Sequence, residues 1–170
     1  FGAVNIAMQG VILAAGKGTR LAPLTNNKPK ALVELGAKPL VGHVLDAFEK
    51  AGVKQTTVVT GYLGDQIENF FGNQLHKMKI VYAKQKQQFG TAHALLQAKK
   101  TVTTDFLMGH CDVIAPVAHW KALSKIKKFD AVMSLRKEEH PENYVAVQIK
   151  GTRVTEVVEK PSKPKTDLVN

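Results

Sequence analysis

The sequence predicts an α/β domain built on a mostly parallel sheet. Three observations predict it. Short runs rich in aliphatic and β-branched residues alternate along the chain with longer segments of helical period, the order that βα units produce. The first run, Val11-Ile12-Leu13-Ala14-Ala15, is apolar throughout, as a strand covered on both faces has to be. It breaks at Gly16-Lys17-Gly18, a turn at the C-terminal end of a strand, where parallel sheets bind their ligands. With 170 residues, 44% of them apolar, the chain is long enough for one domain with a full core.

Residues 11–15 form the first strand. A helix follows over residues 39–50. Leu40, Val41, Val44, Leu45 and Phe48 share one of its faces, Pro39 suits its first turn and Gly52 its C-terminal stop. Residues 56–60, rich in Thr and Val, form the second strand. Ile67, Phe70 and Phe71 mark a short helix, and residues 79–83 the third strand. Residues 91–100 read as a helix capped by Thr91, and residues 105–108 as the fourth strand. The helix expected over residues 116–128 turns Trp120, Leu123 and Ile126 inward. Residues 131–135, 144–149 and 154–159 follow as strands, the last two as a hairpin. No period of 20–50 residues recurs, which excludes a repeat array. Residues 1–7, ahead of Met8, read as a tag or upstream remnant, and residues 8–170 as the domain.

Composition narrows the function classes. The single cysteine, Cys111, excludes an intrachain disulfide framework and points to a reducing, cytoplasmic setting. No apolar run reaches the ~18 residues that span a bilayer. The net charge of +10 divides evenly, +5 in residues 1–85 and +5 in residues 86–170. A charge without a basic block or tail argues against nucleic acid and leaves anionic metabolites as partners.

The loop after the first strand carries the sharpest signal. Gly16 and Gly18 let backbone approach a ligand closely, and successive N–H groups there can form a concavity for anions. Arg20 adds a forked, permanently charged grip on phosphate oxygens. Pro29 presents Lys30 on an extended approach to the same place. The loop is neither a Walker loop nor the dinucleotide fingerprint, whose third glycine is replaced by Leu21.

Leu13-Ala14-Ala15-Gly16-Lys17-Gly18-Thr19-Arg20-Leu21, then Leu24-Thr25, then Pro29-Lys30-Ala31-Leu32, closely resembles the hallmark of the sugar-1-phosphate nucleotidylyltransferases, the nucleotide-sugar pyrophosphorylases. In motif the chain is nearest to the UDP-N-acetylglucosamine and UDP-glucose pyrophosphorylases. The resemblance implies a Rossmann-like nucleotide-diphospho-sugar transferase fold, three-layered α/β/α. It implies that Leu13, Ala14, Ala15, Gly16, Gly18 and Thr19 cradle the nucleotide, and that Arg20 and Lys30 bind the reacting phosphates. Gln85, followed by Gly90-Thr91-Ala92-His93-Ala94-Leu95, resembles the base-recognition segment, with Gln85, Gly90 and Thr91 as nucleotide contacts. A glutamine amide can read both a donor and an acceptor edge of a pyrimidine.

Asp112, after the fourth strand, stands where the family holds Mg²⁺, a hard cation suited to one or two carboxylates plus phosphates. The family has Gly before it and this chain has Cys111, a change that puts a side chain where the nucleotide needs room. His110, Cys111, Asp112 and His119 also admit a transition-metal reading, although their spacing matches no standard zinc pattern. Val145 stands where the family has the Gly of Tyr-Gly against the sugar. Glu159-Lys160-Pro161 matches its E-K-P, giving Glu159 a sugar hydroxyl and Lys160 the sugar phosphate, and Asn170 falls on a further sugar contact.

The resemblance thus implies an enzyme joining UTP or dTTP to a sugar 1-phosphate, UMP transfer from UTP being the first expectation. CTP- or GTP-dependent transfer on the same fold, and a non-catalytic regulatory subunit that binds nucleotide sugar, stay open. So does a homo-oligomer. Beside the family the chain reads as C-terminally truncated, ending at Asn170 inside a motif.

Overall fold

The computed structural model describes residues 8–127 and 129–170. The reading of residues 1–7 as a tag or upstream remnant, and the predicted helix end at Lys128, lie outside the described residues. The chain divides into two compact units, residues 1–127 and 128–170.

In the first unit β1 (Gln9–Ala14) is followed by a short antiparallel pair, β2 (Glu34–Leu35) and β3 (Lys38–Pro39), and by α1 (Leu40–Lys50). Then come β4 (Gln55–Thr60), α2 (Gly64–Phe71), β5 (Gln74–Leu75), β6 (Met78–Lys84), α3 (Thr91–Gln97), β7 (Phe106–His110) and α4 (Val117–Ser124). Five strands form one sheet in the order β5-β6-β4-β1-β7. The pairs β6–β4, β4–β1 and β1–β7 are parallel, and only the short β5 runs antiparallel.

The unbroken apolar run of β1 has its reason in this position. Ile12 and Ala14 face a core with Val44 and Phe48 of α1, Ile67 of α2 and Trp120 of α4. Val11 and Leu13 face the opposite layer, where Ala94 of α3 and Ala98 just beyond it pack. Helices therefore cover both faces, the three-layer arrangement expected from the sequence. Each fully buried Val, Leu or Ile stabilises the fold by about 1.5–3 kcal/mol over an exposed one, so β1 holds the layers together.

Strand register sets where the connecting loops emerge. Leu13 pairs with Val59 on one side and His110 on the other. The C-terminal ends of β4, β1 and β7 therefore lie level, and the loops that leave them emerge side by side.

The second unit is an antiparallel sheet of β8 (Arg136–Lys137), β9 (Val145–Lys150), β10 (Arg153–Glu159) and β11 (Leu168–Val169), in the order β10-β9-β11-β8. The expected hairpin is β9–β10, turned at Gly151 with φ 62°.

Three expectations change. Residues 131–135 form no strand; they stay partly or fully exposed, and pairing begins instead at Arg136 against Val169. Strand preference is a preference for a paired, half-buried surface, and Val132 and Met133, more than 40% exposed, have none. The helix expected over residues 116–128 ends at Ser124 and leaves Ile126 exposed rather than inward. Its last turn tightens through Lys125 N–H to Ala122 O and Ile126 N–H to Leu123 O, at 3.2 and 3.1 Å, the i→i+3 pattern of a terminating helix. Thr91 is the first residue of α3 and not its cap; Gly90, with φ 91°, holds the cap position without a side-chain bond.

Candidate functional site

The loop leaving β1 is built by close contacts with its neighbours. Ala15 O accepts hydrogen bonds from Tyr62 N–H at 3.3 Å and from the Gln88 amide at 2.9 Å. Gly18 has φ 67°, and a Cβ there would come within 2.8 Å of Lys30 Cβ. Only glycine accommodates both the left-handed backbone and that approach. The buried Thr25 hydroxyl donates to Gly18 O at 3.0 Å and fixes the loop from beneath. A 3₁₀ turn, Thr19–Leu21, then presents Arg20 to solvent.

Lys30 reaches the same loop from a second turn. Pro29 is extended (φ −66°, ψ 146°) and Lys30 opens a 3₁₀ turn, Lys30–Leu32, whose Ala31 and Leu32 are buried. Those two anchors leave Lys30 at the surface, where its ammonium forms an ion pair with Asp112 Oδ2. Of the sequence-expected phosphate and metal residues, Lys30 and Asp112 are thus in direct contact. Both remain partly exposed, at 25% and 36% of their side-chain surface.

Asp112 follows an extension of β7. Cys111 N–H donates to Leu13 O at 3.1 Å, so β7 runs beside β1 one residue past its last paired position. The Cys111 side chain belongs to the core that contains Trp120 and Phe48. Burial pushes its thiol up to about 12, with Asp112 adding to the effect. Gly109, two residues back, has Trp120 Cη2 3.2 Å from where its Cβ would stand. The crowding expected from Cys111 therefore does not arise on the ligand side, because the thiol is spent on packing.

Among the described residues no three His, Cys, Asp or Glu side chains gather as a metal would require. The transition-metal reading of His110, Cys111, Asp112 and His119 fails on that ground. Asp112 alone suits a hard cation whose other ligands are phosphate oxygens. A positive charge, that of Lys30, already stands against its carboxylate.

A cleft of about 540 Å³ opens at the ends of β4 and β6, lined among others by Lys17, Gly61, Tyr62, Lys84, Gln85 and Gln88. Gln85 is 5% exposed, and its N–H donates to Thr60 O at 2.7 Å. Its amide nitrogen lies 3.2 Å from Gly90 O and 3.0 Å from His93 Nδ1. Gln85 and Gly90 are thereby brought together, with Thr91 beside them at the exposed start of α3. Asp65, with Glu68 nearby, raises the Lys84 ammonium above the ordinary lysine range at the rim.

The second unit brings its four expected residues together. Val145 and Glu159 pair across β9 and β10. Asn170 N–H donates to Val145 O at 3.0 Å, and its side-chain amide donates to Ser134 O at 2.9 Å. Lys160 N–H donates to Tyr144 O at 2.9 Å, and its φ of 43° is uncommon for a side-chain-bearing residue. Strain of that kind collects at functional positions. Tyr144 itself lies under Arg136, whose guanidinium carbon is 4.8 Å from the ring centre.

Sequence reasoning passed over Gln88, Tyr62 and Tyr144. Gln88 and Tyr62 act on Ala15 from loops 73 and 47 residues away in the chain, and no local pattern announces such a contact. Tyr144 stood next to Val145 in the family-like dipeptide, which was the available signal.

Residues 9–170 match the family model described as nucleotidyl transferase. The UTP–glucose-1-phosphate uridylyltransferase AglF of Haloferax volcanii is 36% identical over 167 residues, covering 95% of this chain and 69% of that protein. The bifunctional protein GlmU of Methanococcus maripaludis is 32% identical over 166 residues, covering 96% of this chain and 38% of GlmU. The chain therefore spans little more than a third of that relative. Among solved structures, a candidate glucose-1-phosphate thymidylyltransferase from Bacillus anthracis, crystallised with sucrose, superposes with a TM-score of 0.86 at 26% identity, over 96% of this chain and 68% of that one. A UDP-glucose pyrophosphorylase complexed with UDP-glucose superposes at 0.81 with 20% identity, over 96% and 74% of the two chains, a likeness of fold.

Proposed function

Since the chain belongs to the nucleotidyl transferase family, we propose that it transfers a nucleotidyl group, UMP from UTP, to a sugar 1-phosphate, giving a nucleotide sugar and pyrophosphate. The observation that carries the reading is the meeting of three groups at the level strand ends: the Gly18 backbone packed on Lys30, and Lys30 paired with Asp112. A glycine loop, a cation and a carboxylate in that arrangement suit a triphosphate.

The chemistry asks little covalent help from the protein. An oxygen of the sugar phosphate, already ionised at pH 7, attacks the α-phosphorus; the bond from that phosphorus to the β-phosphate oxygen breaks, and pyrophosphate leaves opposite. No general base is needed, so catalysis is positioning and charge stabilisation. Leu13, Ala14, Ala15, Gly16, Gly18 and Thr19 line the nucleotide's path, Arg20 and Lys30 bear on its phosphates, and Gln85, Gly90 and Thr91 meet the base. Val145, Glu159, Lys160 and Asn170 bind the acceptor, the lysine against its phosphate. Mg²⁺ held by Asp112 supplies neutralisation of the triphosphate charge when bound. Among the described residues no helix is long and apolar enough to cross a membrane. We place the activity in the cytoplasm on the reducing setting that a single, buried, free cysteine suits.

Pyrophosphate release from UTP, dTTP, CTP and GTP, each with glucose 1-phosphate and N-acetylglucosamine 1-phosphate, tests this. Release with UTP and one of the sugars is expected, and Asp112→Ala lowers it by about 10²–10³-fold. The similarity to a candidate thymidylyltransferase favours dTTP as the second donor to examine. Calorimetric binding of a nucleotide sugar without any pyrophosphate release would replace the enzyme by a regulatory subunit.

A further inference from the structure

Residues 15–30 carry both expected phosphate-binding cations, Arg20 and Lys30, yet little between them is packed. The segment runs as two 3₁₀ turns joined by turns and bends. Ala22, Pro23 and Leu24 are exposed, and so are Asn26, Asn27 and Lys28. Its own hydrogen bonds are short-range, among them Leu24 N–H to Leu21 O at 2.9 Å and Asn26 N–H to Pro23 O at 3.1 Å. Such bonds curl a segment without fixing where it lies on the fold, and exposed ones open readily. Arg20 and Lys30 nonetheless need set positions to act on one triphosphate.

Among the described residues, the hydrogen bonds that reach residues 21–28 from another element come from one corner, where β4 turns into α2. The Tyr62 hydroxyl donates to Asn26 O at 2.9 Å, and the Gln66 amide donates to Asn27 O at 3.1 Å. Tyr62 N–H also donates to Ala15 O at 3.3 Å. One residue thus ties the start of the segment with its backbone and the far side with its phenol. Gln66, four residues on, adds a second tie. The corner is built for this approach. A Cβ on Gly61 would stand 2.7 Å from Ala15 O, so glycine is what lets β4 leave so close to β1. Leu63 has φ 51° and ψ 30°, a left-handed backbone that costs a residue with a side chain roughly 1–2 kcal/mol. Strain of this kind collects at functional positions.

We propose that Tyr62 and Gln66 are positioning residues that hold the Asn26 and Asn27 carbonyls and thereby set Arg20 and Lys30 for a triphosphate. They act through the backbone of the segment and not by contact with the nucleotide. The inference rests on the reading of the β1 loop as a triphosphate site.

The test compares the full chain with Tyr62→Phe, Gln66→Met and a control, Tyr82→Phe. The Tyr82 hydroxyl donates to Gly72 O at 2.6 Å, the same kind of bond made away from residues 15–30. Circular dichroism establishes that each variant is folded. The first readout needs no ligand. Hydrogen exchange over residues 19–28 is expected to rise about fivefold in Tyr62→Phe and in Gln66→Met, the loss of one hydrogen bond, and to stay unchanged in Tyr82→Phe. The second is equilibrium binding of UTP and UMP, or of whichever triphosphate the wild type takes and its monophosphate. Tyr62→Phe and Gln66→Met each narrow the triphosphate-to-monophosphate affinity ratio by about fivefold, and Tyr82→Phe leaves it as it was. Loss of a base contact would instead lower both affinities and keep the ratio. Unchanged exchange in either variant overturns this inference alone. So does an unchanged ratio in either variant, or an equal narrowing in Tyr82→Phe. Absence of binding by any nucleoside triphosphate overturns the proposed function and this inference with it.

Discussion

Gly18 shows how much of the site depends on one missing side chain. An alanine there takes on a left-handed backbone and pushes a methyl group to 2.8 Å from Lys30 Cβ. Gly18→Ala is expected to cost about 1–2 kcal/mol of stability and to raise the KM for the nucleotide as Lys30 is displaced. Thermal melting and pyrophosphate release measure the two effects, and an unchanged KM would separate Lys30 from nucleotide binding. Cys111 gives a second residue-scale expectation. Its thiol titrates near 9.0 when unfolded and at about 12 in the fold, so between those values the unfolded state holds fewer protons. The contribution of Cys111 to stability is therefore complete below about pH 9 and is lost as pH rises toward 12. Denaturant titrations at pH 8 and pH 10 read this as a fall, and Cys111→Ala flattens the dependence. In the native protein at pH 8, alkylation of the buried thiol is expected only as fast as the molecule opens.

Elements were legible in the sequence where burial dictates the pattern. β1 reads correctly because both faces are covered, and α1 because five apolar residues recur on one side of it. The end of α4 was not legible, since Ile126 continues the helical period that Trp120 and Leu123 begin. Period reports spacing and not whether a surface waits to receive the residue. Trp120→Ala is expected to cost about 3–5 kcal/mol, whereas Ile126→Ser stays within about 0.5 kcal/mol, by chemical denaturation. Trp120→Phe costs less than the alanine, because the ring it keeps leaves a smaller cavity; both variants remove an indole N–H that is buried without a partner among the described residues. A large loss from Ile126→Ser would restore the longer inward-facing helix. Residues 131–135 misled for the same reason: a good strand composition has no effect until a neighbour supplies hydrogen bonds.

At the scale of the molecule, the first of two compact units ends on residues 125–127, which form no helix or strand and expose Lys125 and Lys127. Limited trypsin digestion is expected to cut there first, leaving a fragment that ends near residue 127. A first cut elsewhere, read by mass spectrometry, would argue against that boundary. The grouping of functional residues by unit was only partly legible. The order of motifs along the chain was plain, but that Val145, Glu159, Lys160 and Asn170 share one end of a sheet comes from strand register, which no single motif encodes. The ion pair between Lys30 and Asp112 reaches furthest. It joins two positions 82 residues apart in the chain into a single unit of variation. A chain that lost one charge would keep the other uncompensated beside its ligand, so natural or engineered descendants are expected to keep both charges or to exchange them together.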